Sequence, residues 1–484
     1  MKKILFIIYY ELKEFFLSIK DSFEKYLYEI DSYPLFRYAY DANDKLDNYK
    51  LHMNEYIKKS NPDIILWWFI DVPIDIFKFI KTNNPNVYFI MYNIDETINM
   101  SAEILKKASV FDLVMTCTKE NILKYKIHSK VSDIIYNPFS YDPEYFYSIT
   151  PNNFEEDDKQ YNCDISIVIY NLMIDTGFFN AQYVNVIKYI TDLISYCNKN
   201  NKIIKLYGTP VLKEYFKDFY QGELPYLKLN KLHNLSKINI TFHNFCNKSL
   251  YINENVMQIL GSGGLLLMDR VKDIDKILPN DTCLFIDKND YIKQIDNILN
   301  NYESFKIIKS NAVKISKKFT WDEWVKKIHV HYCTKFFDAQ HYIKTYNLEH
   351  LNDKCNDDVV SYWLNNGILN NDIPYKIEVP ESFLFEEYNS KYNLGYNKIL
   401  SYYHWFNYSK EQIFIKNNNS SKMVDCNNLC LQPEDLIYFF NICNNIYNDV
   451  NRDDNLIKLH LFSKNNPYFK INDALDNYFV FCNK

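Results

Sequence analysis

The chain reads as an α/β protein: two doubly wound parallel sheets, then a mainly helical tail. Three observations predict this. Short, continuous apolar runs alternate with amphipathic helical runs, the pattern of parallel strands buried on both faces. The alternation runs twice, interrupted by the polar, acidic stretch Thr150-Pro-Asn-Asn-Phe-Glu-Glu-Asp-Asp158. Beyond about residue 333 it stops, and an aromatic repeat replaces it.

The first unit, 1–150, has strand candidates at Ile4–Tyr9, Asp63–Phe69, Val87–Tyr92, Leu113–Thr116 and Asp133–Tyr136. Helical runs such as Leu12–Tyr28 and Ala102–Ala108 lie between them. No glycine follows the first strand (Ile8-Tyr-Tyr-Glu-Leu-Lys), so a dinucleotide fingerprint is absent, which argues against a nicotinamide or flavin enzyme. The second unit, 159–332, has strands at Asp164–Tyr170, Lys202–Tyr207, Ile238–Phe242, Leu265–Met268 and Leu284–Ile286. Helices Tyr291–Tyr302 and Ile307–Ser316 follow, and Thr320-Trp-Asp-Glu323 reads as a capping box opening a helix through Tyr332.

Gly261-Ser-Gly263-Gly264 is the densest signal. The chain has 8 Gly in 484 residues, and three of them fall here. The helical run Tyr251–Leu260 precedes them, and the apolar run Leu265-Leu-Leu-Met-Asp269 follows. On their own, the glycines read as a helix C-cap and a turn into a strand.

With its flanks, Asn253-Glu-Asn255-Val-Met-Gln258-Ile-Leu-Gly261-Ser-Gly263-Gly264 resembles a family pattern: Asn-x-Arg-x-Phe-Glu-x-x-x-x-Gly-Gly, then a strand ending in Asp. It belongs to group 1 glycosyltransferases of the GT-B fold, in the spore-maturation-type branch. The resemblance spans about 1–330 and is strongest over 160–330. It implies two Rossmann-like domains facing a cleft, an acceptor side (1–150) and a donor side (159–332). It also implies glycosyl transfer from a nucleoside-diphosphate sugar to a hydroxyl acceptor, with retention and without metal or cofactor. The donor-binding set carried over is Gly208, Lys248, Asn253, Glu254, Asn255, Gln258, Gly263 and Gly264. The glycines would let the backbone pass close to the ligand. Two positions depart: Asn255 stands for the family Arg and Gln258 for its Glu. Gln258 can hydrogen-bond a diol but carries no charge, and Glu254, one turn earlier on the same face, would add the carboxylate. Lys248 would help hold the diphosphate at the helix start, or is simply a surface lysine. Asp95, after the strand ending at Tyr92, would be the acceptor base, or an N-cap.

Composition narrows the field. A net charge of −6 argues against general nucleic-acid binding. No stretch reaches about 18 uninterrupted apolar residues, and the apolar start is cut by Glu11, so a first strand in a cytoplasmic chain is expected rather than a leader. The 11 Cys are scattered, and Cys426, Cys430 and Cys443 make a poor zinc site; free thiols are expected.

The tail, 333–484, repeats itself. Phe337…Tyr342…Tyr346-Asn-Leu348 is echoed by Phe383…Tyr388…Tyr392-Asn-Leu394, and each is followed by a tryptophan, Trp363 or Trp405. A third copy is expected near Leu436. The repeats are helical hairpins that either pack as a module or bind an acceptor or partner. The rival to an enzyme is a catalytically inactive descendant that binds carbohydrate or a partner. A basic group and a carboxylate converging near Gly263 would separate the two.

Overall fold

The computed structural model describes residues 2–9, 13–26, 28–35, 43–68, 72–93, 101–129, 131, 133–170, 180–243, 246–370, 372–375, 383–392 and 401. The chain divides into two compact units. The first takes Met1–Pro34, Pro62–Ala339 and Asp353–Tyr375; the second takes Leu35–Asn61, Gln340–Asn352 and the described part of Lys376–Lys484.

Both expected sheets lie in the first unit, giving two α/β halves. Sheet one has six strands: β1 (Lys2–Tyr9), β2 (Tyr28–Leu35), β3 (Ile64–Trp67), β4 (Tyr88–Asn93), β5 (Leu113–Thr116) and β6 (Asp133–Tyr136), in the order β2-β1-β3-β4-β5-β6. β1, β3, β4, β5 and β6 pair in parallel, with Leu5 opposite Ile65 and Ile65 opposite Phe89. β3, β4 and β5 are buried along their whole lengths, which is why they read as unbroken apolar runs. β2 was not legible. The expected helix to Tyr28 ends at Lys25, and the strand that follows carries Glu29, Asp31 and Pro34. Those residues fit only an edge strand, and β2 is the edge of its sheet.

The helices that fall between these strands in the sequence are α1 (Lys13–Lys25), α2 (Asn43–Ser60), α3 (Ile74–Asn83), α4 (Ala102–Ala108) and α5 (Glu120–His128). α2 belongs to the second unit. Ser101 caps α4 by accepting the Ile104 N–H at 3.2 Å.

Sheet two has five parallel strands: β7 (Cys163–Ile169), β8 (Ile204–Gly208), β9 (Ser236–Thr241), β10 (Leu266–Met268) and β11 (Leu284–Phe285), in the order β11-β10-β9-β7-β8. Around it stand α6 (Asn180–Lys199), α7 (Val211–Phe216), α8 (Leu229–Leu235), α9 (Glu254–Gly261), α10 (Tyr291–Asn300) and α11 (Lys306–Ser316). One core packs Val256, Met257 and Leu260 of α9 against Leu266 and Met268. The other packs Ile190 and Leu193 of α6 with Ile295 and Ile298 of α10 against Ile165, Ile167 and Ile238.

α12 (Trp321–Lys335) returns to sheet one, as the capping box implied: Thr320 accepts the Glu323 N–H at 3.3 Å. Trp324 lies 5.6 Å from Trp68 and 5.1 Å from Tyr92, ring centre to ring centre. Ser22 of α1 donates to Asp322 at 2.6 Å. Tyr141 N–H bonds Phe319 O, and Trp321 N–H bonds Tyr141 O, which stitches the crossing chain to the end of sheet one.

In the tail, α13 (Ala339–Thr345), α14 (Asn356–Tyr362) and α15 (Phe385–Tyr392) are present. Trp363 is fully buried. Its indole donates to Asp372 O at 2.8 Å, and it packs on Phe337 and on His329 of α12. Trp363 is therefore a core residue, not a sugar platform, and the core does not close at Tyr332. Trp405 and the expected copy near Leu436 lie outside the described residues.

Candidate active site

In an open parallel sheet the ligand crevice lies beyond the carboxyl ends of the strands, where the strand order reverses. In sheet two the chain goes from β7 outward to β8, then returns to β9 on the other side of β7. The reversal therefore lies between β7 and β9.

The start of α9 sits over that point. Asn253 is its N-cap, and its Oδ1 accepts the Val256 N–H at 3.3 Å. Its Nδ2 donates to Thr241 Oγ1 at 3.1 Å and to Phe242 O at 3.0 Å, fixing the helix start to the end of β9. Asn255 Nδ2 donates to Val168 O at 3.2 Å, fixing the same turn to β7. The first backbone N–H groups of the helix thus face the crevice with the positive end of its dipole.

Several buried polar atoms of this helix and of the segment after β9 have no hydrogen-bond partner among the described residues. They are Asn255 Oδ1, Gln258 Oε1 and both ring nitrogens of His243. His243 is buried beside Tyr251, and burial pushes its imidazole down to about 3, so the ring is neutral at pH 7. Its backbone N–H donates to Asp269 at the end of β10 at 3.3 Å. Burial raises the Asp269 carboxyl above its ordinary value, against that hydrogen bond. Buried polar atoms left unpaired cost about 1–3 kcal/mol each, which makes these side chains candidates for pairing with a polar ligand.

The other wall comes from sheet one. Lys119 N–H bonds Ser249 O at 3.2 Å, and Tyr136 Oη donates to Leu250 O at 2.9 Å. Leu250 is held at φ 61, a conformation costly for a branched side chain. These bonds bring the loop before α9 against the carboxyl ends of β5 and β6.

Residues 194–329 match the glycosyl transferase-like family. The chain carries a glycosyltransferase domain. The match spans β8 to α12 and includes the whole α9 region. No curated protein matches the chain significantly. Among solved structures, a sucrose-phosphate synthase from Thermosynechococcus elongatus aligns with TM-score 0.49 and 12% identity, over 69% of this chain and 98% of that one. A glycosyltransferase from Rickettsia africae aligns with TM-score 0.48 and 14% identity, over 68% and 98%. Anabaena HepE, solved with UDP and glucose, aligns with TM-score 0.45 and 11% identity, over 68% and 98%.

Within the glycosyltransferase domain the expected donor residues divide into two groups. Asn253, Asn255, Glu254 and Gln258 lie on the first turns of α9, Glu254 half-buried and Gln258 buried. Lys248 is buried in the loop before it, not on the surface. Gly208 ends β8 opposite Ile169 of β7. A Cβ there would stand 1.8 Å from Ile169 O at φ +122, so only glycine fits.

Gly263 and Gly264 do not join them. They follow α9 at the amino ends of β9 and β10, across the sheet from the crevice. Gly263 adopts φ +70, and a Cβ would meet Ser148 Oγ at 3.0 Å. A Cβ on Gly264 would meet Asn239 Nδ2 at 2.7 Å and His233 O at 3.0 Å. Their duty is a left-handed C-cap and close helix–strand packing. A helix that packs on a parallel sheet runs antiparallel to its strands, so its two ends cannot serve one site. Lysines and Glu155 do gather near Gly263, but on this far side. Asp95 lies outside the described residues.

His243 and the strained Leu250 were not singled out from sequence, and Asp269 was read only as the Asp that ends the strand of the family pattern. A lone His after an apolar run carries no signal, whereas the Asp after Met268 does, because it ends a buried strand. Among the described residues no cluster of His, Cys, Asp and Glu could hold a metal ion, and no helix is long and apolar enough to cross a membrane.

Proposed function

We propose that the chain transfers a glycosyl group from a nucleoside-diphosphate sugar to a hydroxyl acceptor, with retention and without a resident metal or cofactor, as a cytoplasmic enzyme. In this reading 1–150 is the acceptor side, 159–332 the donor side and 333–484 an appended module. The observation that carries the proposal is the α9 start, tied to β7 and β9 at the strand reversal inside the matched segment. The helix start and Lys248 hold the diphosphate. Gly208, where only glycine fits against Ile169 O, brings the end of β8 to the donor side of the crevice. Gln258 and Glu254 take the ribose or sugar hydroxyls, and Asp95 serves as base for the acceptor.

A thermal-shift screen of UDP-, GDP-, ADP- and dTDP-sugars tests this. A true donor at one hundred times its Kd stabilises the fold by about 2.7 kcal/mol. No shift with any of them sinks the proposal. A second reading is favoured by one observation: Asn255, at the family Arg position, is spent on Val168 O, and Gln258 is uncharged. An inactive descendant would bind a nucleotide-sugar or glycan and release no nucleoside diphosphate over hours.

A further inference from the structure

We propose a second ligand site in this chain, for a small organic anion with an apolar body, at the amino-terminal end of sheet two. A cleft of about 610 Å³ opens there, within the range of small-molecule pockets. Gly263 forms part of its wall, together with Ser236 and Lys237, the first residues of β9. The turn that resembles a ligand-approach motif therefore faces a cleft, though not the one between the strand carboxyl ends.

The chemistry of the lining sets the ligand. Ile149, Phe154 and Leu235 give it an apolar floor. Lys159, Lys237, Lys306 and Lys309 reach it from three separate segments, against one lining carboxylate, Glu155. Lys237 is held by Asp164 at 2.8 Å, a carboxylate largely withdrawn from solvent. Lys159 and Lys306 pair with Glu156 and Glu303, but both partners in each pair are mostly exposed. Such pairs contribute little and yield to a better anion. Lys309 donates to the Tyr302 hydroxyl at 2.9 Å and has no carboxylate partner among the described residues. An apolar body on the floor with a phosphate or carboxylate at the Lys306–Lys309 rim satisfies both halves of the cleft. The backbone below is already paired: Gly263 N–H bonds Leu260 O, and Gly264 N–H bonds Ile259 O. Recognition therefore comes from the lysines.

The probe is 8-anilinonaphthalene-1-sulfonate, an apolar ring system carrying one anion, followed by its fluorescence on the full chain. One saturable site is expected. The double variant Lys306→Glu/Lys309→Glu, with unchanged circular dichroism, should bind about tenfold more weakly, and raised salt should weaken the wild type in the same direction. Hexyl phosphate should displace the probe about tenfold better than inorganic phosphate, because only it reaches the floor. Excess UDP should leave the probe in place, whether or not UDP binds elsewhere. Equal affinity in wild type and double variant overturns the proposal. So does displacement by UDP, or equal displacement by the two phosphates.

Discussion

The two ends of α9 sit about one short helix apart and are built on opposite principles. At the amino end the contacts are polar and incomplete: Asn253 and Asn255 tie the backbone down, while Asn255 Oδ1 and Gln258 Oε1 keep unspent hydrogen-bonding capacity. At the carboxyl end the backbone N–H groups of Ser262, Gly263 and Gly264 are all paired, and the one open atom beside them among the described residues is His233 Nε2. Ser262 donates through both N–H and Oγ to Gln258 O, and the three glycines let Tyr141, Ser148 and Asn239 press against bare backbone. One motif thus carries two messages. Its first half is where the proposed donor would sit, and its second half fixes how the helix meets the sheet.

Acid should strike both ends and gives the largest effect. His233 lies beside the Gly264 end and bonds Asn239 at 3.0 Å; burial pushes it down to about 4. His243 lies at the Asn253 end, pushed down to about 3. Both start from an ordinary value of 6.5, so the unfolded chain binds more protons than the folded one below that pH. Their neutral burial is fully tolerated above pH 6.5. The stability is lost as pH falls from there through about 4 and then about 3, on the order of several kcal/mol in total. Urea midpoints at pH 7, 5.5 and 4.5 would show the slope. His233→Asn should flatten it, and an unchanged slope in that variant would remove His233 from the account.

Next come the glycines. A Cβ on Gly261 would stand 2.3 Å from the Tyr141 ring, so Gly261→Val should cost more than about 3 kcal/mol or prevent folding. Gly263→Val should cost about 1–3 kcal/mol from its φ +70 backbone. Its folded fraction should bind nucleotide as the wild type does, measured by calorimetry at low temperature. Loss of affinity without loss of stability would return Gly263 to the donor site.

The sequence carried this fold well where burial is two-sided. β3, β4 and β7 are recognisable because no face of theirs meets water. β2 is not, because an edge strand is free to carry Pro34 and charges. The Gly-Ser-Gly-Gly cluster was legible as a backbone constraint, but its spacing does not say on which side of the sheet the constraint falls. That needs the direction of α9, and a helix returning to a parallel sheet puts its start, not its end, at the strand carboxyl ends. His243 was illegible for another reason: its ring nitrogens are buried without a hydrogen-bond partner among the described residues, which only packing reveals. The aromatic tail was legible as a repeat, yet Trp363 turned out to be sealed under α12 because its indole finds Asp372 O.

Asn253→Ala should fall between the two ends in size. It removes an N-cap and two bonds to β9, worth about 1–2 kcal/mol of stability. It should also weaken donor binding, because the helix start loses its tether to the crevice. Asn253→Asp keeps the cap acceptor but cannot donate to Phe242 O. It should recover part of the stability, and less of the affinity for a diphosphate. Full recovery of both would show that the cap, and not the tether, is what matters.

The smallest effect is the sharpest test of the amino end. Gln258 is buried with its Oε1 unpaired, so its amide contributes little to folding through that atom. Gln258→Met keeps the volume and discards the hydrogen bonds. If Gln258 meets the donor's hydroxyls, this variant should fold with wild-type stability or better and bind the donor about 1 kcal/mol more weakly, roughly fivefold, as for one buried hydrogen bond. Gln258→Glu should then bind at least as well as wild type, since a carboxylate accepts from two hydroxyls of a diol. Titration calorimetry of the three proteins with one nucleotide-sugar decides the matter. Equal affinity in Gln258→Met would place the hydroxyl contacts elsewhere, with half-buried Glu254 the next residue to change.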